Sequence, residues 1–477
     1  MSIKFGTDGW RAVIAETFTF ENLRLVSQAT ADYLKDISGP NDNPELVIGF
    51  DTRFLSDRFA AEVARVMAAN GITSYLARAD APTPAISYNI VHKKAIGGIM
   101  ITASHNPPRY NGYKLKSAYG GAASKQQVSA IERKLFSIHE RIGANLMDYA
   151  QAEKQGLIQK FDPAWPYYEH LTTNLINMDI ISNGRLKVVA DAMYGSGRNA
   201  FREILSRTRT QIHELHNERN PGFGGIHPEP LGKNLKELIA TVQKENAHLG
   251  VATDGDADRI GAVDELGNFV DPHTIMALSV KYLVEKRGLS GDIAKTISST
   301  LMLNRLAKKY GLTLHETPVG FDLIAELMIK GDVLLGGEES GGISIKGHIP
   351  EGDGILMGLL LMEIVAEANA PLSELVADLQ KEVGPTVYRR DDIRLKHFVA
   401  KEEMVKRLVE AVPQKIAGET VLKVDSYDGV KYHLADDSWL LIRPSGTEPV
   451  LRVYAEAGDE KAIGAMLETG RMLAGQL

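Results

Sequence analysis

Three aspartates stand at alternate positions in one stretch of the chain, Thr253-Asp254-Gly255-Asp256-Ala257-Asp258-Arg259. Short apolar runs at residues 249–252 and 260–263 flank this stretch and predict two strands. Because alternate residues of an extended chain point the same way, the three carboxylates can converge on one ion. Their oxygens are the hard ligands that magnesium, calcium and manganese prefer in proteins. The spacing therefore predicts a divalent-cation site, and we favour magnesium.

A calcium-binding EF-hand loop is one alternative for this stretch, since Glu265 falls at the twelfth position counted from Asp254. The sixth position holds Arg259 where an EF-hand has glycine, and the predicted flanking elements are strands where an EF-hand has helices. A solvated acidic turn is the second alternative, but it would leave three crowded negative charges without an ion to offset their repulsion. The sequence therefore favours a magnesium site over both.

Ser104 stands at the end of an apolar run, residues 99–101, and is followed by His105-Asn106-Pro107-Pro108. In open α/β sheets ligands bind beyond the carboxyl ends of strands, so Ser104 stands where reactive residues lie. For an isolated serine a turn cap would be the better interpretation, and it is the acidic motif and a nearby lysine that favour a reactive serine. Lys114 follows ten residues later, in Asn111-Gly112-Tyr113-Lys114. The chain contains no Gly-x-Ser-x-Gly motif, so the acyl-transfer chemistry of a hydrolase nucleophile elbow is not predicted.

A loop that could hold a phosphate group, Arg443-Pro444-Ser445-Gly446-Thr447-Glu448-Pro449, lies between two predicted strands. Arginine grips phosphate oxygens in a bidentate manner, and hydroxyls and backbone amides can surround the rest. Without other context, a plain hairpin turn would explain this loop equally well. The loop lacks the Gly-Lys-Ser/Thr ending of a Walker A motif, so it does not predict nucleotide binding.

Two further glycine-containing loops carry polar side chains. Gly336-Gly337-Glu338-Glu339-Ser340-Gly341-Gly342 offers carboxylates and a hydroxyl of the kind that bind sugar hydroxyls, although adjacent exposed glutamates are common. Phe5-Gly6-Thr7-Asp8-Gly9-Trp10-Arg11 places an arginine near the N-terminus, where an edge turn is the alternative. Each loop alone is a weak signal, and the presence of both beside the serine and aspartate motifs is what gives them weight.

The size and composition of the chain exclude several classes of protein. Its 477 residues suggest roughly three domains, and four fit equally well. The absence of cysteine excludes disulfides and thiolate chemistry, and a net charge of −7 without a basic block argues against nucleic acid or an anionic membrane as partner. The longest apolar run, residues 355–362, is too short to cross a bilayer, and the first eight residues lack the apolar core of a signal peptide. We therefore expect a cytoplasmic protein.

Apolar, β-branched runs alternate with helical patterns along most of the chain, as in α/β proteins. The runs at residues 46–51, 186–191 and 293–299 look like counterparts, each followed by a turn and a helix-like stretch such as residues 58–70. This repeat predicts three similar α/β domains.

Near its C-terminus the chain changes pattern, to two strands at residues 439–442 and 450–454 and a final helix from Glu460, which predicts a smaller fourth domain of another type. We place the boundaries in the polar stretch at residues 151–159, near residues 264–268 and at Gly384-Pro385. The predicted domains are then residues 1–155, 156–265, 266–384 and 385–477.

Five of these motifs, in the same order along the chain, resemble the signatures of the α-D-phosphohexomutase superfamily. They are Gly6-Thr7-Asp8-Gly9-Trp10-Arg11, Thr102-Ala103-Ser104-His105-Asn106-Pro107, Asp254-Gly255-Asp256-Ala257-Asp258-Arg259, Gly337-Glu338-Glu339-Ser340-Gly341 and Arg443-Pro444-Ser445-Gly446-Thr447-Glu448-Pro449. The matches extend over all four predicted domains. The resemblance implies three similar α/β domains with mixed sheets and a smaller α+β C-terminal domain, arranged around a central cleft.

The resemblance also implies a reaction and a set of roles. The reaction would interconvert hexose 1-phosphate and hexose 6-phosphate through a phosphoserine enzyme and a hexose 1,6-bisphosphate, which is both intermediate and activator. Ser104 would be the phosphorylated serine, and Mg²⁺ would be held by a phosphoserine oxygen with Asp254, Asp256 and Asp258. The other catalytic residues would be Arg11, Lys114, His105 and Arg259. The substrate would be held by Gly320, Glu338 and Ser340 at the sugar and by Arg443, Ser445, Gly446 and Thr447 at the non-reacting phosphate.

Glucose is the hexose that two loops favour by resemblance. Glu339 follows Glu338 where glucosamine-type loops commonly have glutamine, and Phe321 follows Gly320 where mannose-tolerant relatives often have histidine. The opening Phe5-Gly6-Thr7-Asp8-Gly9, in contrast, resembles phosphoglucosamine mutases. Phosphomannomutase and phosphoglucosamine mutase activities are therefore alternatives, as are a magnesium-dependent sugar phosphatase and a non-catalytic binding protein. We expect a phosphorylated hexose as partner, neither nucleic acid nor membrane, and a monomer or small homo-oligomer.

Overall fold

The computed structural model describes residues 3–6, 8–39, 43–138, 143–395, 400–444 and 450–475. Within these residues the strands form four sheets that follow one another along the chain, so we divide the structure into four units. Three sheets mix parallel and antiparallel strands, and the fourth is antiparallel throughout. The predicted fold class, three similar α/β domains followed by a smaller domain of another type, is confirmed.

The first unit carries a six-stranded sheet. Its elements are β1 (Trp10–Val13), α1 (Phe20–Ile37), β2 (Glu45–Phe50), α2 (Ser56–Ala69), β3 (Thr73–Ala77), α3 (Thr83–Lys93), β4 (Gly97–Ile101), β5 (Tyr110–Ser117), α4 (Lys125–Ile138), α5 (Tyr149–Lys154) and β6 (Ile158–Phe161). The strands lie in the order β1-β5-β4-β2-β3-β6; the pairs β1–β5 and β5–β4 are antiparallel, and the other pairs are parallel.

The second unit carries a five-stranded sheet in the order β11-β10-β9-β7-β8. Its elements are α6 (Ala164–His170), a π-helical turn (Leu171–Leu175), α7 (Met178–Gly184), β7 (Lys187–Asp191), α8 (Ala200–Leu205), β8 (Gln211–Leu215), two 3₁₀ turns (Phe223–Gly225 and Gly232–Asn234), α9 (Lys236–Glu245), β9 (Leu249–Thr253), β10 (Ile260–Asp264) and β11 (Phe269–Val270).

The third unit carries a four-stranded sheet in the order β13-β12-β14-β15. Its elements are α10 (Pro272–Glu285), β12 (Asp292–Thr296), α11 (Leu301–Tyr310), β13 (Leu314–Thr317), α12 (Phe321–Lys330), β14 (Val333–Gly337), β15 (Ile343–Ile345), α13 (Gly354–Ala368) and α14 (Leu372–Val383). Side chains of Asp271, Thr300 and Asp353 accept hydrogen bonds from the first turns of α10, α11 and α13. Such caps typically contribute about 1 kcal/mol each and set where these helices begin.

The fourth unit carries a six-stranded antiparallel sheet in the order β16-β21-β20-β19-β18-β17. Its elements are β16 (Val387–Arg394), α15 (Lys401–Glu410), β17 (Lys415–Ile416), β18 (Glu419–Asp425), β19 (Val430–Leu434), β20 (Trp439–Pro444), β21 (Val450–Ala457) and α16 (Glu460–Gly475).

The first three sheets are built on one plan. In each, a central strand (β2, β7 or β12) pairs in parallel with two neighbours, and one of these neighbours continues into an antiparallel strand. The central strands are the three runs that the sequence predicts as counterparts. The predicted repeat is therefore confirmed at the level of strand pairing.

The apolar helix α13 is buried along most of its length and packs against β9 and β10 as well as α10. The second and third units therefore share one hydrophobic core, whereas the first and fourth units have cores of their own. Among the described residues no single helix is both long and apolar enough to span a membrane. Helices α13 and α14, which are bent by 87° relative to each other, pass that test only when they are taken together.

Two local predictions differ from the structure. The strand predicted at residues 293–299 ends at Thr296, because Ser299 N–H donates to the Thr296 carbonyl oxygen and closes a turn before α11. The stretch at residues 151–159, predicted as a polar boundary, contains the end of α5 and the start of β6. Both elements are too short to show a period in the sequence. Because β6 pairs with β3, the first sheet extends past residue 155, and the domain boundaries stay predictions.

Candidate active site

The three loops that carry the predicted reactive residues occupy equivalent places in the first three sheets. The serine loop (residues 102–109) joins β4 to β5, the aspartate loop (residues 254–259) joins β9 to β10, and the glutamate loop (residues 338–342) joins β14 to β15. Each begins at the carboxyl end of a parallel strand, where ligands bind in sheets of this kind. The repeated plan therefore places three chemically different loops at corresponding sheet edges.

Ser104 adopts a positive φ of 49°, which is uncommon for a residue other than glycine. Its backbone N–H donates to Thr102 Oγ1 at 2.8 Å. Its Oγ donates to Asp254 Oδ2 at 2.7 Å and lies 3.3 Å from His105 Nδ1. The serine loop of the first unit thus directs its hydroxyl at the aspartate loop of the second.

Arg53 is fully buried and binds the backbone of the serine loop. The sequence-based prediction did not include this residue. Its guanidinium donates at 2.5–3.0 Å to the backbone carbonyl oxygens of Ser104, Asn106, Pro107 and Tyr110. Asp51 pairs with Arg53 Nε at 3.1 Å and accepts from Thr102 Oγ1 at 2.6 Å. By binding several carbonyl oxygens at once, this buried pair fixes the shape of the loop.

The carboxylates of Asp254, Asp256 and Asp258 converge, with one oxygen from each lying within 4.8 Å of the others. Asp256 Oδ1 is buried and has no hydrogen-bond partner among the described residues, so it is available as a ligand. A Cβ on Gly255 would collide with the Ser104 carbonyl oxygen, which explains the glycine between two aspartates. A set of hard oxygen donors with one orphaned acceptor fits a divalent cation such as Mg²⁺.

The charges of the aspartate loop act on one another. Burial, then the charge of Asp258, raises the pKa of Asp254 well above its usual value. At Asp256 burial also raises the pKa, but the charge of Lys114, the hydrogen bonds from Thr83 and Lys114 and the charge of Arg11 together lower it. A bound cation would relieve the repulsion among these carboxylates.

Lys114 is the cation at the centre of this cluster. Its Nζ lies 2.7 Å from Asp8 Oδ2, 2.9 Å from Asp256 Oδ2 and 2.8 Å from Asp258 Oδ2, and its side chain is fully buried. Burial alone would lower the pKa of Lys114, but the three carboxylates, Asp256 foremost, raise it well above its usual value. Lys114 is therefore a protonated donor that joins the first unit to the aspartate loop.

Arg11, Arg259 and His105 surround the same cluster. Arg11 Nη1 donates to Asn106 Oδ1 at 2.8 Å, which places it against the serine loop. Arg259 Nη1 donates to Glu229 Oε1 at 3.4 Å. Burial, then the charge of Arg259, holds the pKa of His105 well below its usual value, so its ring is neutral near pH 7.

Glu338 and Gly320 meet in the third unit, where Gly320 N–H donates to Glu338 Oε1 at 3.0 Å. Gly320 has a φ of 143°, a conformation that favours glycine, and it precedes α12. Burial, then the charge of Glu339, raises the pKa of Glu338 to about 8. Ser340 lies in the turn that Gly341 N–H closes by donating to the Glu338 carbonyl oxygen at 3.1 Å.

The glutamate loop contacts the strand that follows the aspartate loop. Ile260 N–H donates to the Gly341 carbonyl oxygen at 3.1 Å, and the charge of Arg259 acts on the Glu338 carboxyl against the effect of burial. Phe321 lies beside Gly342, where a Cβ would approach its ring to 3.6 Å. The structure therefore brings the predicted sugar-binding loop next to the predicted metal site.

Arg443 lies at the end of β20 in the fourth unit, and its Nε donates to Asp428 Oδ2 at 2.7 Å. Burial would lower its pKa, but the charge and hydrogen bond of Asp428, with smaller contributions from Tyr454 and Glu339, together raise it. Arg443 is thus within electrostatic reach of the glutamate loop. Ser445, Gly446 and Thr447, predicted for the same phosphate site, lie outside the described residues.

Sequence reasoning missed three residues that hold the site together. Arg53 follows the central strand β2 at the sheet edge where Ser104 follows β4, and that position was a usable signal. Thr83 Oγ1 donates to Asp256 Oδ2 at 2.7 Å, and Glu229 accepts from Arg259. Neither Thr83 nor Glu229 stands in a motif, so no signal in the sequence points to them.

Four family models match this chain in order. Those for phosphoglucomutase/phosphomannomutase alpha/beta/alpha domains I, II and III match residues 2–142, 166–267 and 271–383. The model for the phosphoglucomutase/phosphomannomutase C-terminal domain matches residues 400–469.

Known proteins resemble the chain over nearly its whole length. It is 31% identical to the phosphoglucomutase/phosphomannomutase of Thermococcus kodakarensis, over 98% of this chain and 97% of that protein. It is 32% identical to the phosphoglucosamine mutase of Carboxydothermus hydrogenoformans, over 96% of each chain. The crystal structure of a Thermus thermophilus protein, whose assignment as a phosphomannomutase is provisional, is similar with a TM-score of 0.87 and 33% identity, covering 100% of this chain and 99% of that one.

Proposed function

Because this chain belongs to the phosphoglucomutase/phosphomannomutase family and is a phosphohexomutase, we propose that it interconverts glucose 1-phosphate and glucose 6-phosphate with Ser104 as phosphoryl carrier. The observation that best supports this role is the 2.7 Å hydrogen bond from Ser104 Oγ to Asp254, in a cluster that also holds Lys114. A serine that only caps a turn needs no such surroundings.

The first transfer starts from phosphorylated Ser104. The bond from phosphorus to Ser104 Oγ breaks, and a bond forms from phosphorus to the 6-oxygen of glucose 1-phosphate, which releases its proton. Ser104 Oγ takes up a proton in place of the phosphoryl group, which balances the proton that the 6-hydroxyl releases. The product glucose 1,6-bisphosphate turns over, returns its 1-phosphoryl group to Ser104 and leaves as glucose 6-phosphate.

Positive charge is the main aid that these residues give to the transfer. Phosphoryl transfer depends mostly on positioning and on offsetting the charge of the phosphoryl oxygens. Lys114 lies 2.9 Å from Asp256, Arg259 lies 3.9 Å from Asp258, and Arg11 lies against the serine loop. When held by Asp254, Asp256, Asp258 and the phosphoserine, magnesium supplies a Lewis acid at the same oxygens.

The two ends of the substrate would be bound by different units. Glu338 and Ser340 would accept and donate hydrogen bonds at the sugar hydroxyls beside Gly320. Arg443, with Ser445, Gly446 and Thr447, would bind the non-reacting phosphate. Because the bisphosphate binds in two orientations, separate loops for sugar and phosphate allow either phosphate to reach Ser104. Closure of the cleft would keep the intermediate from water.

A coupled assay panel tests this function. Glucose, mannose and glucosamine 1-phosphates are supplied with Mg²⁺ and a trace of glucose 1,6-bisphosphate, and formation of each 6-phosphate is followed. We expect the highest kcat/KM for glucose 1-phosphate and no net release of inorganic phosphate. Net phosphate release equal to turnover would instead indicate the sugar phosphatase.

Phosphoglucosamine mutase activity is the second candidate, because a relative of that name is 32% identical over almost the whole chain. The opening residues of this chain also resemble that class. A higher kcat/KM for glucosamine 1-phosphate in the same panel would favour this activity, and the phosphoserine chemistry would be unchanged.

A further inference from the structure

The carboxylate of Asp428 connects the third and fourth units beside the proposed substrate site. Asp428 follows β18, and only 3% of its surface is exposed. Its Oδ2 accepts from Arg443 Nε at 2.7 Å and from Val319 N–H at 3.0 Å, while its Oδ1 accepts from Lys401 Nζ at 2.9 Å. The same oxygen thus holds an arginine of the fourth unit and a backbone amide of the third.

Val319 leads directly into the sugar side of the site. The next residue, Gly320, donates its N–H to Glu338 Oε1 at 3.0 Å. Two successive amides are therefore fixed, one by Asp428 from the fourth unit and the other by the carboxyl predicted to bind sugar hydroxyls. A shift of Asp428 would move this segment relative to Glu338.

The third and fourth units are also joined by contacts that do not involve Asp428. Lys431 Nζ donates to the Ile297 carbonyl oxygen at 2.7 Å, and Leu301 N–H donates to Glu456 Oε2 at 2.7 Å. These contacts link the third and fourth units at other points. Removing the Asp428 side chain should therefore leave the units docked while it frees Arg443 and Val319.

We propose that Asp428 is a positioning residue that couples the phosphate-end arginine, Arg443, to the sugar-end segment at Val319 and Gly320. This inference rests on the proposed function, because it concerns how the same substrate is held at both ends. Charge supports the assignment: burial would raise the pKa of Asp428, but Arg443, the Val319 amide and Lys401 together lower it, so the carboxylate is ionised. The loss of Asp428 should therefore weaken phosphate binding and sugar selection together.

The test compares Asp428→Ala with Asp425→Ala in the full-length protein. Asp425 is a matched control, because its carboxylate accepts from Lys423 Nζ at 2.8 Å and His433 Nε2 at 2.9 Å within the fourth unit. We expect Asp428→Ala to raise KM for glucose 1-phosphate about tenfold or more, as for loss of a partner to a charged group. The preference for glucose over mannose 1-phosphate should fall, while saturating glucose 1,6-bisphosphate still phosphorylates Ser104. Asp425→Ala should match the parent.

A second measurement does not depend on activity. Hydrogen exchange of the segment at residues 317–323 should quicken in Asp428→Ala and stay at the parent rate in Asp425→Ala. Asp428→Asn, which keeps an acceptor oxygen, should restore part of the protection. Equal exchange and equal KM in the two alanine variants would overturn the inference. A parent that turns over no hexose phosphate would overturn the proposed function, and the exchange result would still report on the Asp428 contact.

Discussion

The aspartate loop and the glutamate loop follow equivalent strands, β9 and β14, and lead into equivalent antiparallel partners. The carboxylates of the aspartate loop find their partners in the first unit, where Thr83 and Lys114 bind Asp256. Glu338 of the glutamate loop finds the Gly320 amide in its own unit. One place in the repeated fold therefore carries carboxylates bound by another unit in one case, and in the other a carboxylate whose hydrogen-bond partner lies in its own unit.

This difference predicts different effects for substitutions in the two loops. An altered aspartate loop must disturb both the metal site and the contact between the first two units. An altered glutamate loop should change sugar recognition and leave the metal site intact. Isosteric substitutions in the two loops should therefore separate catalysis from recognition.

The largest effect is expected where the aspartate loop loses its serine partner. Ser104→Ala should lower kcat on the order of a thousandfold or more, because covalent transfer needs the oxygen of Ser104. Turnover of glucose 1-phosphate, together with intact mass after exposure to glucose 1,6-bisphosphate, measures this. Ser137→Ala, on an exposed face of α4, is the control. Phosphate on another residue, or parent-like turnover in Ser104→Ala, would contradict the assignment.

Neutralising one carboxylate of the aspartate loop should have the next largest effect. Asp256→Asn should weaken magnesium binding by at least about 10–100-fold, since even outer-shell changes have effects of that size. Calorimetric titration of EDTA-stripped protein with magnesium chloride measures the affinity. Asp179→Asn, exposed in the same unit, should bind as the parent does. Full turnover by stripped parent protein would show that the cluster serves another purpose.

The matching substitution in the glutamate loop is Glu338→Gln, and its effect on KM for glucose 1-phosphate should depend on pH. Burial, then Glu339, raises the pKa of Glu338 to about 8, so this carboxyl is protonated at pH 6.5 and glutamine resembles it. We expect Glu338→Gln to change KM for glucose 1-phosphate less than about threefold at pH 6.5. Above pH 8 the parent carboxylate is ionised and forms stronger hydrogen bonds with sugar hydroxyls, so the parent KM should fall while that of the variant does not.

A steady-state series from pH 6 to pH 9 measures this difference. Magnesium affinity should be the same in Glu338→Gln and the parent, in contrast to Asp256→Asn. If Glu338→Gln lost magnesium as well, the glutamate loop would not be independent of the aspartate loop.

The smallest effect is expected at Phe321, which offers no polar group beside the glutamate loop. Phe321→His should narrow the ratio of kcat/KM for glucose over mannose 1-phosphate by about three- to tenfold, because discrimination needs groups that bind particular hydroxyls. Phe321→Leu, which adds no polar group, should leave the ratio unchanged. A parent that uses both sugars equally well would show that this loop does not favour glucose.

The aspartate hairpin was predictable because its signal is local: three carboxylates and two flanking apolar runs lie within fifteen residues of the sequence. The partners of that hairpin were not. Thr83 and Asp256 are 173 positions apart, and no pattern in either segment predicts contact with the other. The same holds for Asp428, which acts on Val319 across 109 positions. Sequence patterns thus identify loops that carry chemistry, while the contacts that orient those loops depend on how whole units pack.

Prediction of secondary structure from the sequence is limited in the same way for short elements. The central strands were predictable because β-branched runs recur with a turn and a helix after each. The short elements α5 and β6 were not, because four to six residues cannot establish a period. Tertiary pairing with β3, and not local sequence, makes a strand of residues 158–161.

The buried Arg53, which binds the serine loop, affects both the departure and the return of the phosphoryl group in the proposed mechanism. In that mechanism Ser104 acts twice, once as donor and once as acceptor of the phosphoryl group. Arg53 binds three carbonyls of the loop and that of Tyr110 at the start of β5, so the substrate does not have to shape the loop. Departure and return of the phosphoryl group should then begin from nearly the same backbone geometry, with little reorganisation in either. Such a scaffold would serve both half-reactions of the proposed mechanism alike.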